Sequence, residues 1–114
     1  MTTVNITVTN DADFYRTFQY ITVGGTPIDI TDCAFEMKLR RHAADKAVVL
    51  RLGSDTGEIV VVDAINGIFT VKIPQDELER LGLGDYDHSN IMTNIIGKTK
   101  VWEGLLTNNA GPTR

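Results

Sequence analysis

From Cys33 to Arg40 the chain alternates strictly. Cys33, Phe35, Met37 and Leu39 fall on one side, Ala34, Glu36, Lys38 and Arg40 on the other. A period of two predicts a half-buried strand over 33–41, with one face on a core and one in water. Shorter runs repeat the pattern. TTVNITV at 2–8 groups Val4, Ile6 and Val8. Residues 14–23 place Phe14, Arg16, Phe18 and Tyr20 inward. Residues 47–52 align Val48, Leu50 and Leu52, and 58–62 are nearly all β-branched. Residues 68–73 turn Phe69, Val71 and Ile73 inward. Two further strands are predicted at 86–96, where the pattern is weaker, and at 99–107, with Trp102 and Leu106 on one face.

The breaks between runs have their own chemistry. Gly24, Gly25 and Pro27 reverse the chain before 28–30, and Asn66-Gly67 between β-branched runs predicts a hairpin in which both residues accept positive φ. Gly97-Lys98 predicts a last tight turn. The one helical stretch is PQDELERLG: Pro74 suits a first helical position, Asp76 and Glu77 suit the positive end of the dipole, and Gly82 suits a cap. Leu78 and Leu81 can dock on a sheet. The polar tail NNAGPTR at 108–114 is expected to be mobile or held by a partner. About eight short strands around one short helix (74–81) predict an all-β, mainly antiparallel sandwich formed by residues 1–107.

Composition narrows the class. A chain of 114 residues fits one domain, and 42% hydrophobic content supplies a core. A net charge of −4 argues against phosphate-directed nucleic-acid binding. The one basic cluster, Arg40, Arg41 and His42 with Lys38 nearby, reads as a solvated strand end. A single cysteine excludes an internal disulfide, and its parity predicts a small buried hydrophobe. The first residues do not have the form of a signal peptide, and no apolar run is long enough to span a membrane as a helix. The expectation is a protein without membrane or nucleic-acid partners.

Candidate chemistry is sparse. Asp87-His88-Ser89 has the composition of a hydrolase triad, but on a strand His88 points away from both neighbours. Two histidines and one cysteine are too few for a zinc site. Paired aspartates at 11/13, 29/32 and 85/87 lack calcium-loop spacing and read as turn formers. No catalytic, metal or cofactor site is predicted. Most aromatic residues fall on inward parity; Tyr15 does not.

One resemblance covers nearly the whole chain. GTPIDITDCAFEMKLRR at 25–41 resembles the G-x-P-[IV]-D-L-T-G-x-x-x-x-M-x-[IL]-R segment of small phage and prophage structural proteins. These are similar to the immunoglobulin-like N-terminal domain of the phage baseplate upper protein. DFYRTFQY at 13–20 stands where that family has an aromatic strand. EIVVVDAINGIFTVKIP at 58–74 resembles its hairpin, Gly84-Asp85-Tyr86 its strand start, and Glu103-Gly104-Leu105-Leu106 its last strand. Arg16, His88 and Asn90 depart from it by being polar at inward places; a register-shifting bulge would account for the last two.

The resemblance implies an immunoglobulin-like sandwich without catalytic residues. It implies a virion component of the tail, baseplate or fibre-attachment region, made in the bacterial host cytoplasm, that binds other phage structural proteins and itself. A capsid decoration protein and a small carbohydrate-binding module are the alternatives. The residues expected at a protein interface are Tyr15, Ile21, Ile68, Arg40 and Arg41, on the argument that exposed strand edges are pairing templates.

Overall fold

The computed structural model describes residues 3–113. Eight strands and one helix follow in the order β1 (Ile6–Thr9), β2 (Phe14–Gln19), β3 (Ala34–Arg40), β4 (Leu50–Gly53), β5 (Ile59–Asp63), β6 (Ile68–Ile73), α1 (Gln75–Leu81), β7 (Gly84–Thr93) and β8 (Lys98–Asn109). A five-stranded sheet has the order β1-β8-β7-β3-β4, and a three-stranded sheet the order β2-β6-β5. Every pairing is antiparallel except β1 with β8, which is parallel.

The alternation along β3 does what the pattern predicts. Phe35, Met37 and Leu39 are buried. Across β7 they face Met92, Asn90 and His88, and Met37 faces Leu52 across β4. Phe69, Val71 and Ile73 of the smaller sheet close on them from the other side. Phe69 stacks on Phe35 at 4.9 Å between centroids and on Trp102 at 5.7 Å, and Phe18 reaches Trp102 at 4.6 Å. Burying such side chains is worth roughly 1.5–3 kcal/mol each.

Several expected boundaries move, each for a physical reason. β4 begins at Leu50 rather than 47: the Val49 N–H still donates to the Leu39 carbonyl (2.9 Å), but β3 ends at Arg40, so the residues before Val49 have no strand residue opposite them; Val48 and Val49 stay exposed. β2 ends at Gln19, after which Ile21 pairs only with Pro27 across the Gly24-Gly25 turn. Of the first expected strand, Thr2 lies outside the described residues, and Asn5 interrupts the ladder by accepting the Leu105 N–H on its side-chain oxygen (3.1 Å). At the Asn66-Gly67 turn only Gly67 has positive φ (69°). The hairpin therefore takes a longer loop, with a bulge in β5 between Val61 and Asp63. Gly67 is required there, since a Cβ would stand 2.6 Å from the Tyr20 carbonyl oxygen.

Pro74 is the N-cap of α1 rather than its first residue. Asp13, from the turn before β2, accepts the Gln75 N–H at 2.7 Å and caps the helix from a distance. β8 runs two residues past Thr107. The tail is held by the chain's own first turn, the Gly111 N–H donating to Asn10 Oδ1 (2.9 Å) and the Thr113 N–H to Asp11 Oδ2 (3.5 Å). Residue 114 lies outside the described residues.

Candidate interaction surface

Asp87-His88-Ser89 lies in β7, where the strand sends His88 inward and its neighbours outward. The Asp87 carboxylate accepts the Ala43 N–H at 2.8 Å. His88 and Asn90 are 4% and 0% exposed, so both face the core. The expected bulge exists, between Asn90 and Ile91 in the pairing with β8. The extra residue belongs to β8, however, where Val101 and Trp102 are both buried, and β7 keeps its parity. The bulge therefore does not turn His88 or Asn90 outward. Both His88 nitrogens, the Asn90 amide and the Trp102 Nε1 are buried with no hydrogen-bond partner among the described residues. Burial pushes the His88 pKa below its ordinary value; the backbone at Leu105 and Val4 and the Asp87 charge oppose this more weakly. No group of three or more His, Cys, Asp or Glu among the described residues is placed to hold a metal ion.

Cys33 is only half-buried, because β3 starts after it. Desolvation, then the Asp29 charge, raises its pKa and keeps the thiol protonated. No described helix is long and apolar enough to cross a membrane.

The outer face of the five-stranded sheet carries a groove of about 530 Å³ that includes Lys38, Arg40, Asp87, Ser89 and Glu103. Its charges are mostly engaged within the chain. Lys38 pairs with Glu36 at 3.4 Å and Lys100 with Glu103 at 3.8 Å, while Arg40 donates to the carbonyls of Asp45 (2.9 Å) and Lys46 (2.7 Å). Arg51 bonds Glu36 and holds that carboxyl below its usual range.

The five expected interface residues do not form one surface. Tyr15 is 68% exposed on the outer face of the smaller sheet, opposite Lys72. Ile68 is half-buried at the other end of that face, opposite Gln19. Ile21 is 45% exposed beside the β2 edge. Arg40 ties down the 45–46 link. Arg41 lies over the Tyr86 ring at 4.4 Å and donates to the Leu83 carbonyl at 3.0 Å, so both arginines serve the fold. Arg16 keeps its inward register opposite Val71 but is exposed, its guanidinium 5.1 Å from the Phe18 centroid. A cation over an aromatic face at an open edge is the arrangement it adopts.

The largest exposed apolar side chains lie elsewhere. Val23, Ile95 and Ile96 are 110%, 104% and 91% exposed, and Ile65 is 71%. All four sit on loops at one end of the sandwich: the turn after β2, the β5–β6 hairpin and the β7–β8 hairpin. β7 ends at Thr93 instead of continuing to 96, so Ile95 and Ile96 form the tip of a two-residue turn. Asn94 shapes it, its Oδ1 accepting the N–H groups of Ile96 (2.9 Å) and Gly97 (3.1 Å). Two β-branched residues where hairpins prefer Gly, Asn or Asp were the available signal. Extending the strand to 96 concealed it.

No family model and no curated protein matches this chain. Solved structures do. The NK cell receptor NKp44 is 13% identical over 97% of this chain and 100% of its own (TM-score 0.49). The ZIG-8–RIG-5 IG1–IG1 heterodimer is 12% identical over 94% and 82% (TM-score 0.48). Murine CRIg is 12% identical over 94% and 92% (TM-score 0.45). At such identities the likeness is one of fold. The chain is an immunoglobulin-like β-sandwich of eight strands with one short helix.

Proposed function

We propose that this chain is a non-enzymatic structural component of a bacteriophage particle. It is a sandwich module of the tail, baseplate or fibre-attachment region that binds copies of itself and neighbouring particle proteins. The observation that carries the assembly part is the bare aliphatic end, with Val23, Ile65, Ile95 and Ile96 in water on three adjacent loops. Exposed apolar groups gathered in this way mark contact surfaces. The phage part is supported by the order of motifs from 13 to 106. His88, the one histidine of β7, is only 4% exposed, and the neighbouring Asp87 carboxylate accepts the Ala43 N–H rather than facing it. Immunogold electron microscopy of purified particles tests the proposal: the chain is expected at the tail or baseplate, and particles that contain no copy sink it.

A further inference from the structure

His88 lies under the first segment of the chain. Opposite it on the five-stranded sheet are Leu39 of β3 and Gly104 of β8. Residues 3–5 run along β8 at that point. The Val4 N–H donates to the Glu103 carbonyl (2.9 Å), and Asn5 Oδ1 accepts the Leu105 N–H (3.1 Å). A Cβ on Gly104 would collide with the Val4 carbonyl, so the segment occupies the place of the missing side chain. Opposite residues on one face of a sheet have their Cβ positions about 4.5–5.5 Å apart, which sets the Val4 carbonyl beside the imidazole. The influences on the His88 proton agree with that placement: burial comes first, then the backbone of Leu105 and of Val4. Residues 3–5 thus form a strap against His88.

Both imidazole nitrogens are buried with no hydrogen-bond partner among the described residues. Desolvation penalises a charge there, so the closed structure favours the neutral ring. Nearby charges do not reverse this. Asp87, next to it on β7, favours the proton, but less than burial disfavours it. Lys38 and Arg40 flank Leu39 on the outer face, Glu103 flanks Gly104 there, and residues 3–5 carry no titratable side chain. From the smaller sheet, Phe69, Val71 and Ile73 turn inward, and Arg16 is exposed over Phe18. The strap is the lightest cover over the ring. Thr3 and Asn5 are exposed and Val4 is half-buried. Beyond it Ile6 and Val8 are buried, and Asn10 ties β1 to Asn109 and Gly111.

We propose that protonation of His88 opens the strap: residues 3–5 lift off β8, water reaches the imidazole, and β1 stays in place from Ile6 onward. The open form releases the Glu103 carbonyl and the Leu105 N–H, two pairing groups on the edge of a 12-residue strand. Acid thereby turns a covered stretch of edge into a free one. This goes beyond the assembly reading and does not depend on it.

The open form takes up the proton at the ordinary histidine value, near about pH 6.5, and the closed form only at lower pH. Opening is therefore constant above about pH 7 and grows by up to about tenfold per pH unit below about 6.5. Native-state hydrogen exchange of the full chain, read by NMR from about pH 7.5 to 5 and corrected for the intrinsic rate, tests this. The Val4 and Leu105 amides are expected to lose protection with that slope, at exchange rates well above those set by global unfolding. The Asn10 amide, which donates to Asn109 (3.1 Å), should stay better protected than either at every pH. His88→Leu should make strap exchange independent of pH. Asn5→Ala removes one of the strap's bonds at an exposed position, and should move the titration midpoint of the His88 ring up toward the ordinary value.

Strap protection that does not change with pH in the wild type overturns the proposal. A slope that survives His88→Leu belongs to another group and overturns it too. If Val4, Leu105 and Asn10 lose protection together at the global rate, the chain opens only as a whole, and the strap has no motion of its own. Should His88→Leu fail to fold, Asn5→Ala decides, since an unmoved midpoint there likewise sinks the idea.

Discussion

The two ends of the sandwich use side chains in opposite ways. At the α1 end polar groups close the structure. The Tyr86 hydroxyl donates to the carbonyls of Leu81 (2.6 Å) and Gly82 (3.0 Å), and the buried Asn108 amide to those of Leu78 (2.8 Å) and Gly82 (3.0 Å). Asp13 caps the helix start, and Gln75 Nε2 reaches the Asn10 carbonyl (2.8 Å). The last turn of a short helix leaves carbonyls without intrahelical partners, and here the neighbouring strands satisfy them. At the other end the loops are also well bonded: Tyr20 donates to Gly67, Ile28 to Tyr20 and Ile30 to Ala64. Val23, Ile65, Ile95 and Ile96 nevertheless point into water. The first end is completed within one chain, whereas the second presents surface that a partner can cover.

Four changes break or sharpen that contrast. The largest effect belongs to Leu78→Ala. Leu78 is 0% exposed beneath α1, and the cavity should cost about 2–5 kcal/mol, read from the midpoint of urea unfolding. Tyr86→Phe should follow at about 1–3 kcal/mol, since it removes the hydroxyl from two carbonyls without changing the packing. A loss of under a few tenths would show that water replaces the hydroxyl and that this end is not sealed.

The third change concerns the core between the ends. Burial lowers the His88 pKa, so the unfolded chain takes up the proton first as pH falls. The contribution of neutral His88 is fully present above about pH 6.5, declines below it, and levels off once the pH passes the folded-state pKa. Thermal melts of the wild type from pH 7.5 to 5 should show this loss, while His88→Leu should remove that part of the slope. The smallest effect is expected at the bare end. Ile95→Ser should leave stability within about 0.5 kcal/mol, because an exposed side chain has no packing to lose. A larger drop would mean that the tip serves the fold itself.

Legibility of the sequence differs between these regions in the same sense. In β3 the alternation is unbroken, and burial follows it residue by residue, because each side of the strand meets one environment; in β6 the inward Phe69, Val71 and Ile73 are buried as the pattern has it, but outward Thr70 is buried too, opposite Thr17 of β2. The site was less legible. Tyr15 and Ile21 are exposed as parity predicts, but Arg40 and Arg41 are held by carbonyls and an aromatic ring from other parts of the chain. Ile95 and Ile96 continue the apolar character of β7 and read as strand, since nothing local shows that pairing with β3 ends at Ala34 opposite Thr93.

The sequence by itself determined the class of fold, the positions of most strands, the single helix and the inward set of β3, β6 and β8, because period-two patterning and turn chemistry are local properties. Only the tertiary structure decided that β1 runs parallel to β8, that Asn10 and Asp11 hold the tail, that His88 and Asn90 stay in the core, and that aliphatic tips gather at one end. Each of these depends on which distant strand lies alongside, and on where a neighbour stops and leaves a side chain uncovered.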